Sequence, residues 1–236
     1  IAELANELKA PMFLHNSETE EEVTGCVERY GMTPTTFLDS IGMFNYGGGG
    51  FHCVHMSEED LDICKKRNLY VVTNPGSNTK LASGIAPITD MLKNEIPVAI
   101  GTDGPASNNC LDMFREMFLV TGLQKLRTMN AEAVGAKEVL KMATKNGAYA
   151  MGLMDCDTLS VGKYADLIMI DLHQPNMQPM NNIEKNLVFS GSKQNVKMTM
   201  VNGKILYEDG AFYIGREPEE VYKNANAIIN RMTSGV

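Results

Sequence analysis

The 236-residue chain has no C-x-x-C pair, no basic cluster and no long apolar run, and only four histidines. Each shortage excludes something. The five cysteines, Cys26, Cys53, Cys64, Cys110 and Cys156, are scattered and odd in number. That argues against a cysteine-based zinc site and against a regular disulfide framework. It suits a reduced, cytoplasmic protein. The net charge is −8, so nucleic acid and anionic membrane are poor partners. No run approaches the ~18–20 apolar residues that cross a bilayer. The opening IAELANELKAPMF has early acidic residues and no small-residue cleavage pattern, so it does not read as a signal peptide.

What remains is an ordinary globular composition, with enough apolar residues (44%) for a sizeable core. The length suits one large domain, or one domain with a satellite. The first residues already have helical spacing (Ile1, Leu4, Ala5, Leu8), without a starting Met. This leads to the expectation that the chain was processed or that an upstream part is missing.

Helix and strand patterns then alternate. Helices are expected at 2–9, 19–29, 34–41, 87–95 and 111–127, with another led by Ser57 and Asp60 in SEEDLDICKKRN. Short apolar strands are expected at 12–15, near 50–54, at 69–73 and at 97–102. This alternation predicts an α/β fold with a parallel sheet buried on both sides. Two further helices, 131–143 and 144–151, precede a change of character. LSVGKYADLIMIDL and VKMTMVNGKILYEDGAFY are β-rich, with hairpin turns at Asn-Gly and Asp-Gly. A polar helix, 217–232, closes the chain. The expected domains are 1–155 for the α/β body, 156–215 for part of a small β domain, and 216–236 for the terminal helix.

Polar residues cluster where strands end. The first strand ends in His15, with Glu18 nearby in HNSETEEEV. The second carries His52, followed by His55; the third runs into TNPGSN; the fourth runs into Asp103 in GTDGPASNN. Barrel enzymes build their sites from strand carboxyl ends. Imidazole and carboxylate bind zinc or iron(II), and a carboxylate outside the metal can carry protons. His15 and Asp103 are therefore candidate metal ligands, His52 a ligand or a residue behind one, and Glu18 a proton carrier. Taken singly, each residue has a plainer alternative. A strand-end histidine can be a satisfied core residue. Glu18 can be a helix-start acid. Asp103, Asn74 and Ser77 can be turn formers. His55 reads as a rim residue and His173 as a surface one. The run GGGG lacks a phosphate-loop pattern, and the 17 methionines read as core packing. The joint placement at successive strand ends favours the site.

HNSET, HCVHMSEEDLDICKKRN, TNPGSNTKLASGIAPI and GTDGPASNNCLDMFREM, in that order, closely resemble the amidohydrolase superfamily. The match is to its branch of methylthioadenosine/S-adenosylhomocysteine deaminases, with triazine hydrolases and guanine deaminases as relatives. VGKYADLIMIDL and VNGKILYEDG resemble that family's returning β domain. The resemblance implies one divalent metal, zinc first, with iron or manganese as alternatives. It implies that His15 and Asp103 bind the metal, that His52 holds the activated water, and that Asp103 accepts its proton. Glu18 would protonate the ring nitrogen. Glu18, Asn74, Ser77, Asn78 and Ser107 would face a purine nucleoside substrate, with Asn108 beside the site. The implied reaction is hydrolytic deamination of S-adenosylhomocysteine, methylthioadenosine or a similar nucleoside. Guanine deamination, triazine dechlorination and a non-catalytic fragment are the alternatives. Relatives imply a homo-oligomer.

The family's first barrel strand ends in His-x-His, and this chain has none. About four barrel strands are expected here, against the eight of a complete barrel. The expected architecture is the C-terminal half of a (β/α)8 TIM-like barrel plus part of a small β-sandwich domain. Half a barrel exposes two strand edges. Its expected needs are the missing N-terminal half and, without it, weak metal binding.

Overall fold

The computed structural model describes residues 1–235. The first part of the chain alternates as expected: α1 (Ala2–Leu8), β1 (Met12–Asn16), α2 (Glu20–Tyr30), α3 (Pro34–Ser40), β2 (Gly48–His52), α4 (Glu58–Lys66) and β3 (Tyr70–Thr73). It continues through α5 (Pro75–Lys80), α6 (Ile88–Lys93), β4 (Val98–Ile100), α7 (Pro105–Asn108), α8 (Met113–Thr128), α9 (Ala136–Ala143) and α10 (Lys145–Ala150). Strands β1 to β4 form one sheet in sequence order, every pair parallel. The register aligns His15 with Phe51, Phe51 with Val72, and Val72 with Ala99. All four strands therefore end on one side.

The sheet is held by burial. Val71, Val98 and Ala99 are buried, and Leu69, Ile88, Met91, Ile96, Val139 and Met142 pack around them from flanking segments. The opposite sheet face is apolar but only partly covered. A recess of about 770 Å³ lies there, lined by Phe13, Phe51, Tyr70, Val72 and Ala99 among others.

Local chemistry explains the helix starts. Ser57 and Asp60 form a full capping box at α4, which satisfies backbone donors at the first turn. Asp60 is buried and also accepts hydrogen bonds from Thr33 and Thr36, so the same carboxylate ties α4 to α3.

Two expectations need correction. The strand expected near 50–54 is Gly48–His52, so it runs through the glycine run. Those glycines are strand residues packed against neighbouring backbone. A Cβ on Gly48 would strike the Met12 backbone, and one on Gly49 the Tyr70 carbonyl. The run exists so that three strands can approach closely. Likewise TNPGSN is more than a turn, because α5 starts at Pro75, where proline suits a first helical turn.

The second part is antiparallel: β5 (Leu167–Ile170), β6 (Val196–Val201), β7 (Lys204–Glu208) and β8 (Ala211–Phe212), paired in that order. Asn202 and Gly203, both with positive φ, turn the β6–β7 hairpin. A helix not expected in this β-rich stretch, α11 (Ile183–Phe189), is capped by Asn182 and packs on α8 and α9. The chain ends with α12 (Pro218–Thr233), which buries no residue. No helix among the described residues is long and apolar enough to cross a membrane.

Candidate active site

The carboxyl ends of the parallel strands carry the site. His15 lies on β1, one residue before its end; His52 ends β2; Asn74 follows β3; Asp103 lies three residues beyond β4. The backbone there is unusual. Ser17, His52, Cys53 and Asp103 all have φ between 48° and 68°, in the left-handed region. Such conformations persist only where surrounding structure enforces them, and they gather at functional sites.

His15, His52 and Asp103 converge, with one potential ligand atom from each lying within 4.8 Å of the others. His15 is exposed and stacks on His52, with ring centroids 5.4 Å apart and planes at 21°. It is not a core histidine. His52 is buried, and its Nδ1 donates to Asn78 Oδ1 at 2.7 Å. That bond places the proton on Nδ1 and leaves the Nε2 lone pair free. Nε2 faces Glu18 Oε2 at 3.7 Å and Asp103 Oδ2 at 4.0 Å. Both separations exceed a hydrogen bond. Ligands of one zinc each sit ~2 Å from the ion, so converging donors at this spacing suit a shared cation.

Asp103 is prepared as a carboxylate. Burial pushes its pKa up, but hydrogen bonds from the Ser77 hydroxyl, the Gly104 N–H and the Ser107 hydroxyl outweigh it and hold it low. Ser77 donates to Oδ2 at 2.6 Å and Gly104 to Oδ1 at 2.6 Å. Glu18 is held differently. Its backbone N–H donates to Glu22 Oε2 at 2.7 Å, while its side chain accepts from Ser83 Oγ at 3.3 Å. The carboxylate thus stands at the rim, one-fifth exposed.

Contacts sort the residues singled out at the strand ends. Ser77 and Asn78 are buried and engage Asp103 and His52. Asn74 is buried beside Gly101, where a Cβ would strike its Oδ1. His55 does not join the cluster; its Nε2 lies 2.8 Å from the Ser83 carbonyl, so it braces the loop that holds Glu18. His173 is exposed and remote in sequence from the strand ends.

Sequence reasoning missed Glu116 and its partner role for Asn108. Glu116 is fully buried, and burial pushes its carboxyl pKa up against hydrogen bonds from Asn108 and Gly76. Spacing gave no signal, because apolar residues surround α8: Phe114, Met117 and Val120 are buried, while Phe118 and Leu126 are exposed.

The donor set fits a divalent metal on its own chemistry: two imidazoles and one carboxylate, with one imidazole fixed in the tautomer that a metal requires.

Comparison with known proteins gives the family. The amidohydrolase family model matches residues 1–206. The 5-methylthioadenosine/S-adenosylhomocysteine deaminase of Thermoanaerobacter pseudethanolicus is 43% identical over 211 residues, covering 89% of this chain and 49% of the relative. The 5′-deoxyadenosine deaminase of Methanosarcina mazei is 39% identical over 237 residues, covering 99% of this chain and 55% of its own length. The chain thus spans about half the length of these curated relatives. A zinc-bound adenosine deaminase from Xanthomonas campestris superposes with a TM-score of 0.92 at 33% identity, covering 98% of this chain and 53% of that one. The zinc complex of an atrazine chlorohydrolase from Arthrobacter aurescens, at 24% identity and a TM-score of 0.87, shares the fold. The parallel sheet, the polar strand ends and these matches lead to one conclusion: the chain belongs to the amidohydrolase family.

Proposed function

We propose that this chain carries part of the active site of a metal-dependent hydrolase that deaminates an adenine-type nucleoside. The observation that carries this reading is the convergence of His15, His52 and Asp103 within 4.8 Å, with Glu18 at their rim. The deaminase names of relatives at 43% and 39% identity support the reaction class. The architecture we propose is the C-terminal half of a (β/α)8 barrel, residues 1–155, with part of a small β domain at 156–215 and a terminal helix at 216–236. The other half of the barrel would cover the apolar recess beside Phe13, Phe51 and Tyr70.

In this reading His15 and Asp103 hold the metal, and His52 presents Nε2 to the same centre. Zinc, when bound, lets water ionise near neutral pH. Asp103, kept ionised by Ser77 and Gly104, accepts a proton from the attacking water. Glu18 stands where a carboxyl can protonate the ring nitrogen and regain a proton from the new hydroxyl, while the proton taken up by Asp103 passes to the departing ammonia. Ser77 and Asn78 act by holding Asp103 and His52; Asn74 and Ser107 would contact the nucleoside.

The test uses the intact protein loaded with zinc. Ammonia should be released from S-adenosylhomocysteine, methylthioadenosine or 5′-deoxyadenosine, and a chelator should stop it. Ammonia from guanine or chloride from atrazine, with none from any adenosyl compound, would overturn the substrate class. No metal uptake and no turnover would overturn the reaction.

A further inference from the structure

We propose that Glu116 is a positioning residue for the metal cluster, fastening the α5 turn and the Asp103 loop to each other from behind. The inference rests on the metal-dependent reading above. Glu116 is 0% exposed on α8 and touches none of His15, His52 or Asp103 in the bonds it makes. Its Oε2 accepts the Gly76 N–H at 2.7 Å, and its Oε1 accepts Asn108 Nδ2 at 2.8 Å. Gly76 immediately precedes Ser77 and Asn78, whose side chains hold Asp103 and His52. Asn108 also donates to the Thr102 carbonyl at 2.6 Å, immediately before Asp103. One buried carboxylate therefore spans both loops.

Two features argue against simple packing. A buried carboxylate is costly unless it is fully hydrogen-bonded, and an aliphatic side chain would fill the same space without that cost. Gly76 also has no side chain where one would strike Glu116 Oε1 and Asn108 Nδ2. The close approach itself is thus built into the sequence. If the bond shifts, Ser77 and Asn78 move together, and the carboxylate and imidazole they hold move with them.

The test is Glu116→Gln in the intact protein. The amide can accept from only one of the two donors, because its NH₂ faces the other. We expect kcat on S-adenosylhomocysteine to fall at least about tenfold with KM nearly unchanged, and cobalt(II) affinity, measured by chelator competition, to fall by about 10–100-fold. On a Ser77→Ala background the same change should lower cobalt(II) affinity by a smaller factor than in the wild type, because part of its effect runs through the Ser77–Asp103 bond. Unchanged cobalt(II) affinity, or effects that multiply in the double variant, would overturn the inference. If Glu116→Gln does not fold, Gly76→Ala pushes a methyl into the same carboxylate and is read by the same measures. A wild-type protein that neither takes up cobalt(II) nor releases ammonia would instead overturn the underlying reading.

Discussion

The parallel and antiparallel sheets use the same backbone device for different ends. In the parallel sheet, left-handed residues stand at strand ends beside the polar cluster: Ser17, His52, Cys53 and Asp103. In the antiparallel sheet they are Asn202 and Asp209, at hairpin turns, where positive φ matches the twist of the strands. Burial differs in the same direction. Val71 and Val98 are 0% exposed, whereas Ile168 and Met169 are 50% and 55% exposed. Strands that are apolar on both faces leave their ends to carry polar groups. Adjacent residues Ile168 and Met169 point to opposite faces and both are half exposed, so the antiparallel sheet is less covered on either side.

The largest effect should come from the most constrained point of that cluster. Asp103→Asn in the intact protein should lower kcat by roughly 10³-fold, within the range for losing an acid–base group, while the fold persists. Steady-state kinetics with circular dichroism checks both halves of that statement. One step back, Asn78→Ala frees His52 to adopt either tautomer. Metal affinity should fall by about 10–100-fold, read by zinc competition with a chromophoric chelator. Equal affinity in the variant would mean that His52 is oriented by something other than Asn78.

Away from the site the same sheet should respond only in stability. Ser57→Ala removes one arm of the α4 capping box and should cost about 1 kcal/mol in urea unfolding, with metal affinity unchanged. The junction toward the antiparallel sheet should respond to acid. Lys163, Tyr149 and other contacts hold the Asp157 carboxyl at about 2, below its ordinary 3.8. A depressed folded-state pKa stabilises the fold above the ordinary value and ceases to do so as pH falls through about 2. Asp157→Asn should therefore flatten the acid limb of the stability curve between roughly pH 4 and 2, with little change at pH 7 beyond the lost ion pair. Smallest of all, Met169→Thr on the open face should change stability by less than about 0.5 kcal/mol. A larger loss would mean that this face is covered in the intact protein.

The sequence was most legible where local pattern and tertiary demand agree. All four parallel strands could be placed, and His15, His52 and Asp103 could be assigned to their ends, because polar residues interrupt short apolar runs there. Ser57 and Asp60 announced their cap by spacing alone. The misreadings have physical causes. Gly48–Gly50 resembles a loop in composition, yet the glycines form strand because neighbouring backbones leave no room for Cβ atoms. α11 is short and sits among β-rich segments, and it is helical through packing on α8 and α9. Glu116 was hidden because a glutamate in a helix reads as solvent-facing, and α8 carries apolar residues such as Phe118 and Leu126 on its exposed side too, so no buried face stands out. Ser77 and Asn78 pointed to the right place, but only three-dimensional contacts show what their side chains hold.

The most direct test of the central claim is an anomalous-difference map at the zinc edge from crystals of the intact, zinc-loaded protein. The account predicts one strong peak within bonding reach of His15 and Asp103, on the Nε2 side of His52. A zinc peak elsewhere, with His15, His52 and Asp103 bonded only to protein or water, would contradict it.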